Sequence, residues 1–156
     1  KLFKENTNSN LKLVLAGSKN FNGNKKIYKE IKRYVSKNNL NSSIIMPGYI
    51  DKKQVYYYYN NSFCYVFPSL DEGFGIPLIE ALRARVPVIC SDIEIFKEIG
   101  HDSVIYFKKQ DENDLNNKLI SILENKKIRE KNILKGNKRA NLFNRKNFIK
   151  GFEKLY

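Results

Sequence analysis

The sequence contains few of the residues that build disulfide frameworks and metal sites. Two cysteines, one histidine and no tryptophan occur among its 156 residues. Cys64 and Cys90 lie in the apolar, strand-like runs FCYVF and PVICS, which favours buried thiols over a disulfide or a metal pair. His101 is more typical of a loop residue than of a catalytic one, although a catalytic role stays open as an alternative. The sequence therefore predicts no metal site.

Long apolar runs are also lacking. A membrane-spanning helix needs about 20 consecutive apolar residues, and no stretch of the chain approaches that length. The first ten residues are charged and rich in asparagine, without the apolar centre of a signal peptide. We therefore expect a cytoplasmic protein. With 42% hydrophobic residues, the chain can bury one core and is expected to form a single domain.

Acidic residues are scarce in comparison with basic ones. There are 16 Asp and Glu against 29 Lys and Arg, and the net charge is +13. A charge of this size suits nucleic acid or an anionic membrane surface as a partner. The basic residues are nevertheless spread along the chain, and Lys, Asn, Ile and Tyr are all frequent, as in proteins from AT-rich genomes. Compositional bias with solvated helix faces is the preferred interpretation, followed by peripheral membrane contact and, last, by nucleic acid.

Strand-like and helix-like segments alternate along the chain. The predicted strands, all apolar, are 11–16, 43–46, 63–67, 87–90 and 104–107. After a helix tail at 1–8, the predicted helices are 25–37, 51–60, 76–84, 95–99, 111–124, 128–142 and 147–156. Strands that are apolar throughout are typical of a parallel sheet buried on both faces. The pattern therefore predicts an α/β, Rossmann-like fold with helices on both faces of the sheet.

Two of these helices allow predictions about burial. In helix 25–37, Ile27, Ile31, Tyr34 and Val35 recur at helical spacing and are expected to face the core. The four consecutive tyrosines 56–59 cannot all face inward on a helix, so one or two rings should be exposed. Core packing with a surface ring is preferred there over a platform for stacking.

The most informative segment is FPSLDEGFGIPLIEAL, residues 67–82. A predicted strand ends at Phe67, a loop with two glycines follows, and a helix begins near Ile76. A strand, a glycine loop and a helix N-terminus together bind anions, because backbone N–H groups can approach a phosphate closely. The loop would lie at the carboxyl end of the sheet, where open α/β sheets bind their ligands.

Two carboxylates flank this loop, Glu72 before the glycines and Glu80 within the helix. A carboxylate that accepts hydrogen bonds from sugar hydroxyls is a common way of holding a ribose. The residues by themselves therefore predict a nucleotide or sugar-phosphate site. The alternative is a tight turn with two solvated glutamates, and it would be preferred for an isolated pair of glycines.

The complete segment resembles the E-x7-E signature of retaining glycosyltransferase family 4. The family pattern PS-x-x-EGFG-x-P-x-x-EA is matched by Pro68-Ser69, Glu72-Gly73-Phe74-Gly75, Pro77 and Glu80-Ala81. The run PVICS at 87–91 is similar to the family's next strand, and weaker matches occur at 13–17, 46–48 and 98–99. The resemblance covers nearly the whole chain, and its central motif is highly specific.

The resemblance implies the C-terminal, donor-binding half of an enzyme of the GT-B type, in which two Rossmann-like halves face each other across a cleft. Glu72, the candidate catalytic residue, would lie near the donor sugar, and Glu80 would hold the ribose. The other implied binding residues comprise the loop backbone, the helix start, a serine and a base-pocket proline: Gly73, Phe74, Gly75, Ile76, Pro77, Ser69 and Pro47.

The resemblance also implies the partners. The donor would be a nucleotide-sugar such as a UDP- or GDP-sugar, used without a metal or other cofactor, and the acceptor a polysaccharide, glycolipid or other lipid-linked glycan. The acceptor domain would belong to the same enzyme or to a second chain, with peripheral membrane contact and no nucleic acid. A non-catalytic nucleotide-sugar-binding subunit is the alternative, and a basic nucleic-acid-binding protein is less favoured.

Two departures from the family pattern stand out. Arg85 replaces the glycine that usually ends the motif helix, so we expect an awkward helix end and a small loss of stability. In addition, nothing before Leu11 matches the opening strand and loop, whose Arg and Lys clamp the diphosphate. We therefore expect a donor domain over 1–156 that lacks its first, central strand and cannot transfer sugar alone.

Overall fold

A computed structural model of the chain describes residues 1–18 and 24–144. These residues form two compact units, one within Lys1–Tyr57 and one from Tyr58 onward, each with its own parallel sheet. The predicted helix 147–156 lies outside the described residues. Among the described helices, none combines the length and the apolar character needed to cross a bilayer.

The first unit contains two paired strands and their flanking helices. Its elements are α1 (Leu2–Asn6), β1 (Leu13–Ala16), α2 (Asn24–Lys37), β2 (Ile44–Gly48) and the start of α3 (Lys52–Asn61). Asp51 caps α3, because its Oδ1 accepts the Gln54 N–H at 2.8 Å while Gln54 Oε1 accepts the Asp51 N–H at 2.9 Å.

The second predicted strand was expected to stop at Pro47-Gly48, and this was wrong. β2 continues to Gly48, which pairs with Ala16. The register shifts beside Pro47, between the pairs Val14–Ile45 and Ala16–Gly48. A bulge tolerates proline because its missing N–H takes no part in the ladder.

The buried faces of the first unit also differ from the prediction. Leu13 and Leu15, which lie on one face of β1, are 47% and 37% exposed, so the described elements leave that face largely open. On α2, Val35 is buried, but Ile27 and Tyr34 are 55% and 54% exposed. These two side chains lie on one flank of the apolar stripe, about 80–100° around the helix from Val35.

The second unit contains a three-stranded sheet in the order β3-β4-β5, with all strands parallel. Its elements, after the end of α3, are β3 (Tyr65–Phe67), α4 (Ile76–Arg83), β4 (Val88–Ser91), α5 (Glu94–Gly100), a 3-10 turn (His101–Ser103), β5 (Ile105–Phe107), α6 (Glu112–Glu124) and α7 (Lys126–Ala140). Every residue of the central strand β4 is buried. The parallel sheets with covering helices confirm the predicted α/β fold class.

Buried polar and sulfur groups fit this core. Asn132 of α7 joins two elements, because its Nδ2 donates to the Ser103 carbonyl at 3.0 Å and its Oδ1 accepts the Val88 N–H at 3.1 Å. Both cysteines are free; Cys90 is buried, as predicted, whereas Cys64 is partly buried. Burial raises the pKa of each thiol to about 12.

The tyrosine run behaves as predicted. Tyr59 is buried, whereas Tyr56 and Tyr57 are 46% and 64% exposed. The run therefore contributes one ring to the core and at least two to the surface.

Candidate functional site

The loop between β3 and α4 leaves the carboxyl end of the second sheet, as the sequence predicts. α4 begins at Ile76 with Pro77 in its first turn, and Gly75 is its N-cap residue. Gly75 has φ +70°, in the left-handed region, and an added Cβ would lie 3.1 Å from Cε1 of Phe96. Both the backbone conformation and the close approach of Phe96 therefore require glycine at this position.

Gly73 differs from Gly75 in its surroundings. A Cβ added at Gly73 would meet no atom of the described structure within 4 Å. Its φ also lies outside the range in which L-residues are strained. Packing among the described residues therefore gives no reason for glycine here, and they leave the space beside this backbone open to an incoming group.

The N-terminus of α4 is free of a side-chain cap. Gly75 has no side chain to offer, and no side chain of the described structure makes a cap hydrogen bond there. The first N–H groups of a helix and its dipole together attract negative charge. This end of α4 can therefore accept an anion.

Glu72 and Ser69, both predicted to belong to the site, are in direct contact. Ser69 Oγ donates a hydrogen bond to Glu72 Oε1 at 2.8 Å. Both side chains are partly buried. The hydroxyl orients the carboxylate and leaves its remaining acceptor positions available.

Glu80 lies on α4, partly buried, within electrostatic range of two tyrosines that the sequence did not assign to the site. The rings of Tyr59 and Tyr65 are 5.3 Å apart and nearly perpendicular, and Tyr59 Oη donates to the Pro77 carbonyl at 3.3 Å. Burial is the main reason that the pKa of Tyr65 rises to about 12. The hydrogen bond between the Tyr59 and Tyr65 hydroxyls lowers that pKa, and the charges of Glu72 and Glu80 raise it.

Burial likewise raises the pKa of Tyr59, with the charge of Glu80 contributing after that of Tyr65. Both tyrosines therefore stay neutral and present hydroxyl groups close to the motif carboxylates. Tyr59 belonged to the conspicuous tyrosine run, but no pattern in the sequence indicates that its hydroxyl reaches the first turn of α4.

The rim of the site is apolar. Phe74 and Ile76 are 53% and 60% exposed. The ring of Phe74 contacts that of Phe143, with their centroids 6.4 Å apart. Exposed apolar surface beside an anion-binding helix end suits a ligand with a sugar face and a phosphate.

Pro47 lies in the first unit, on β2, whereas the other predicted site residues lie in the second. Its role in a base pocket stays a prediction. The structure therefore groups Ser69, Glu72, the glycine loop and the helix with Glu80 into one region of the second unit.

Arg85 occupies the strained position that the missing glycine predicts. It has φ +58°, just after α4. The Arg85 N–H donates to the Leu82 carbonyl at 3.2 Å and the Val86 N–H to the Ala81 carbonyl at 3.1 Å. This pair of bonds is the Schellman motif, which places a left-handed residue after the helix and favours glycine there.

The family model for "Glycosyl transferases group 1" matches residues 1–139. The chain belongs to this family. Its sequence is similar to the O-antigen chain mannosyltransferase RfbU of Salmonella typhimurium, with 46% identity over 54 residues, which is 35% of the chain and 15% of that protein. A glycosyltransferase of Methanocaldococcus jannaschii is 29% identical over 136 residues, covering 86% of the chain and 38% of that protein.

Solved structures of group 1 and related glycosyltransferases share the fold. A sucrose-phosphate synthase from Thermosynechococcus elongatus superposes with a TM-score of 0.80 and 28% identity, over 93% of the chain and 37% of that protein. The C-terminal domain of a group 1 glycosyl transferase from Francisella tularensis gives a TM-score of 0.68 and 25% identity, over 76% and 62% of the two chains.

Anabaena HepE, determined in complex with UDP and glucose, has a TM-score of 0.80 at 15% identity, over 89% of the chain and 38% of that protein. At this identity the likeness concerns the fold alone. These GT-B relatives confirm the predicted fold class. The chain spans well under half the length of the curated relatives it matches.

Proposed function

We propose that this chain is the donor-binding part of a retaining, family 4 glycosyltransferase. The whole protein would transfer a sugar from a nucleotide-diphosphate-sugar to a polysaccharide, glycolipid or other lipid-linked glycan. The observation that carries the proposal is the uncapped N-terminus of α4, preceded by open space at Gly73 and flanked by Glu72 and Glu80. The chain's membership of the group 1 family supports it independently.

Each part of the loop then has a chemical role. The N–H of Ile76 and the positive end of the α4 dipole would attract the diphosphate and stabilise the charge that develops as it leaves. Pro77 has no N–H, and that of Leu78 donates within the first turn. The backbone beside Gly73 would approach the sugar and the phosphate. Ser69 would orient Glu72 toward the donor sugar, whose ring carries positive charge as the glycosidic bond to the diphosphate breaks.

Glu80 would hold the ribose. Its carboxylate lies on α4, beyond the phosphate-binding turn, and can accept hydrogen bonds from two vicinal hydroxyls. The neutral hydroxyl of Tyr65, which is only partly buried, lies within electrostatic range of the same carboxylate and can add a further contact to a ribose. No step in this scheme uses a metal.

The names of the relatives indicate the class of sugar donor and the class of acceptor. RfbU is named an O-antigen chain mannosyltransferase, which supports a polysaccharide acceptor and a mannosyl donor. HepE, which is similar in fold alone, was determined with UDP and glucose, so a fold of this kind can hold a nucleoside diphosphate. A GDP- or UDP-sugar is both a glycosyl donor and a source of a nucleoside diphosphate leaving group.

Calorimetric titration of the protein with UDP, GDP and ADP tests the proposal. We expect saturable binding of one nucleotide, weakened at least tenfold in Glu80→Ala because the ribose loses its charged acceptor. Glu124→Ala, which removes the same charge from the exposed end of α6, is the matched control and should bind normally. If Glu80→Ala and Glu124→Ala bind alike, the ribose role of Glu80 is wrong.

A further inference from the structure

The donor loop is in contact with the segment that follows α7, far along the chain. The rings of Phe74 and Phe143 are 6.4 Å apart between centroids and nearly perpendicular, at 84°. Edge-to-face pairs of this kind are attractive beyond the area that they bury. Because the side chain of Phe74 is 53% exposed, its position depends on few neighbours, and Phe143 is one of them.

Phe143 is itself held from two sides. The guanidinium of Arg139 lies over its ring, 5.1 Å from the centroid, and Arg83 Nη2 donates to its carbonyl. Arg139 also donates to the carbonyls of Ile99 and Glu98, at 2.6 and 2.8 Å. Phe143 is therefore fixed to the end of α4 and, through Arg139, to the end of α5.

The loop needs such an anchor because of its composition. Phe74 stands between Gly73 and Gly75, and glycine allows the backbone more conformations than any other residue. Gly75 is held by the start of α4, and within this segment Phe74 has the only side chain that can pack against a neighbour. A loop that is ordered before the ligand arrives avoids an entropy cost on binding.

We propose that Phe143 is a positioning residue for the donor loop. It holds Phe74, and through it the backbone of residues 73–75, in the conformation that receives the diphosphate of the nucleotide-sugar. The inference rests on the proposed function of that loop. It gives the segment after α7 a part in donor binding without direct contact to the donor.

Two measurements on Phe143→Ala test the proposal. Hydrogen exchange followed by mass spectrometry should show faster exchange in peptides covering 72–76 of the free protein, with unchanged exchange in β4. Titration with UDP and GDP should show binding of the preferred nucleotide weakened about three- to tenfold, as expected for loss of one aromatic pair. Phe143→Tyr, which keeps the ring, should restore both.

Matched controls separate positioning from general stability. Leu134→Ala truncates an apolar side chain of α7 that is 59% exposed, and it should change neither measurement. In a Phe74→Ala background, the additional change Phe143→Ala should have no further effect on binding, because its target is gone. If Phe143→Ala does not fold, Phe143→Leu, which also lacks the ring, replaces it.

Unchanged exchange in the loop of a folded Phe143→Ala variant would overturn the proposal. So would full additivity of the two alanine substitutions in the binding energies. Absence of nucleotide binding by the unsubstituted protein would instead count against the proposed function. The exchange measurement needs no ligand, and faster exchange would still support the positioning role in that case.

Discussion

Gly73 and Gly75 flank the same phenylalanine but are glycines for different reasons. At Gly75 the fold requires glycine, because φ is +70° and Phe96 lies against the backbone. At Gly73 an added methyl group would meet no atom of the described structure within 4 Å. A side chain at Gly73 would therefore interfere with a ligand before it interfered with the fold.

The substitutions Gly73→Ala and Gly75→Ala should distinguish a glycine needed for ligand binding from a glycine needed for the fold. We expect Gly75→Ala to lower the free energy of unfolding by about 1–2 kcal/mol, the strain of an L-residue in the left-handed region. Gly73→Ala should change it by less than about 0.5 kcal/mol yet weaken nucleotide binding. Urea unfolding and calorimetric titration of both variants measure this. An equal loss of stability in the two would show that the distinction is wrong.

Arg85 is the residue whose strain the sequence predicts and the structure shows. Because it has φ +58° and is exposed, Arg85→Gly should raise the free energy of unfolding by about 1 kcal/mol. Arg85→Ala removes the same charge but keeps a Cβ in the left-handed region. Urea unfolding should show stabilisation by glycine alone. Similar stabilisation by alanine would assign the effect to charge.

Among the elements, α7 is joined to the sheet by the buried side chain of Asn132. We expect Asn132→Ala to lower the free energy of unfolding by about 2 kcal/mol or more, because it leaves the Val88 N–H and the Ser103 carbonyl buried without a partner. Asn117→Ala on the exposed face of α6 is the control and should be neutral. Thermal and urea unfolding measure the stabilities of the Asn132→Ala and Asn117→Ala variants. Equal stabilities would contradict the role of Asn132 in joining α7 to the sheet.

Most of the elements could be predicted because their signals are local. A helix start or a strand is indicated by residues only a few positions apart. Examples are Asp51 before α3, Pro77 in the first turn of α4 and the uniformly apolar strands. Burial was harder, because it depends on what lies opposite. The sequence offers Ile27 and Tyr34 as core residues of α2 on spacing alone, but both are exposed. Their spacing indicates a helix face without showing which part of it is covered.

The site was predicted in its composition but not in its contacts. The motif resemblance named Ser69, Glu72 and Glu80, and the structure adds the hydrogen bond between the first two. Tyr65 and Phe143 could not be found in this way. Their proximity to the motif comes from strand order and from the return of α7, and neither leaves a pattern in the sequence.

At the scale of the whole molecule, the central strand protects its thiol. Since the pKa of Cys90 is about 12 in the folded state and 9.0 ordinarily, the thiol stays protonated at pH 8. We expect no alkylation of Cys90 by iodoacetamide at pH 8 until urea unfolds the protein. Mass spectrometry of a Cys64→Ser variant follows this thiol alone. Rapid labelling without urea would contradict the burial of β4.

The same pKa values contribute to the decline of stability at alkaline pH. Each thiol has a pKa of 9.0 in the unfolded chain and about 12 in the folded one. Its contribution to the free energy of unfolding is therefore fully present below pH 9.0 and is lost as the pH rises toward about 12. Cys64 and Cys90 should therefore both lower the free energy of unfolding above pH 9. Urea titrations between pH 7 and 11 measure the decline. A variant with serine at both positions should lose less stability over that range.

The tyrosine pair beside the motif glutamates has an optical consequence. The chain has ten tyrosines and no tryptophan, so no indole emission masks phenol fluorescence. Tyr59 and Tyr65 both lie within electrostatic range of Glu80, the carboxylate proposed to hold the ribose. A nucleobase or sugar entering that space would alter their emission, and the difference between the native protein and Tyr65→Phe would isolate the signal. The protein thus carries its own spectroscopic reporter at the place where its donor is proposed to bind.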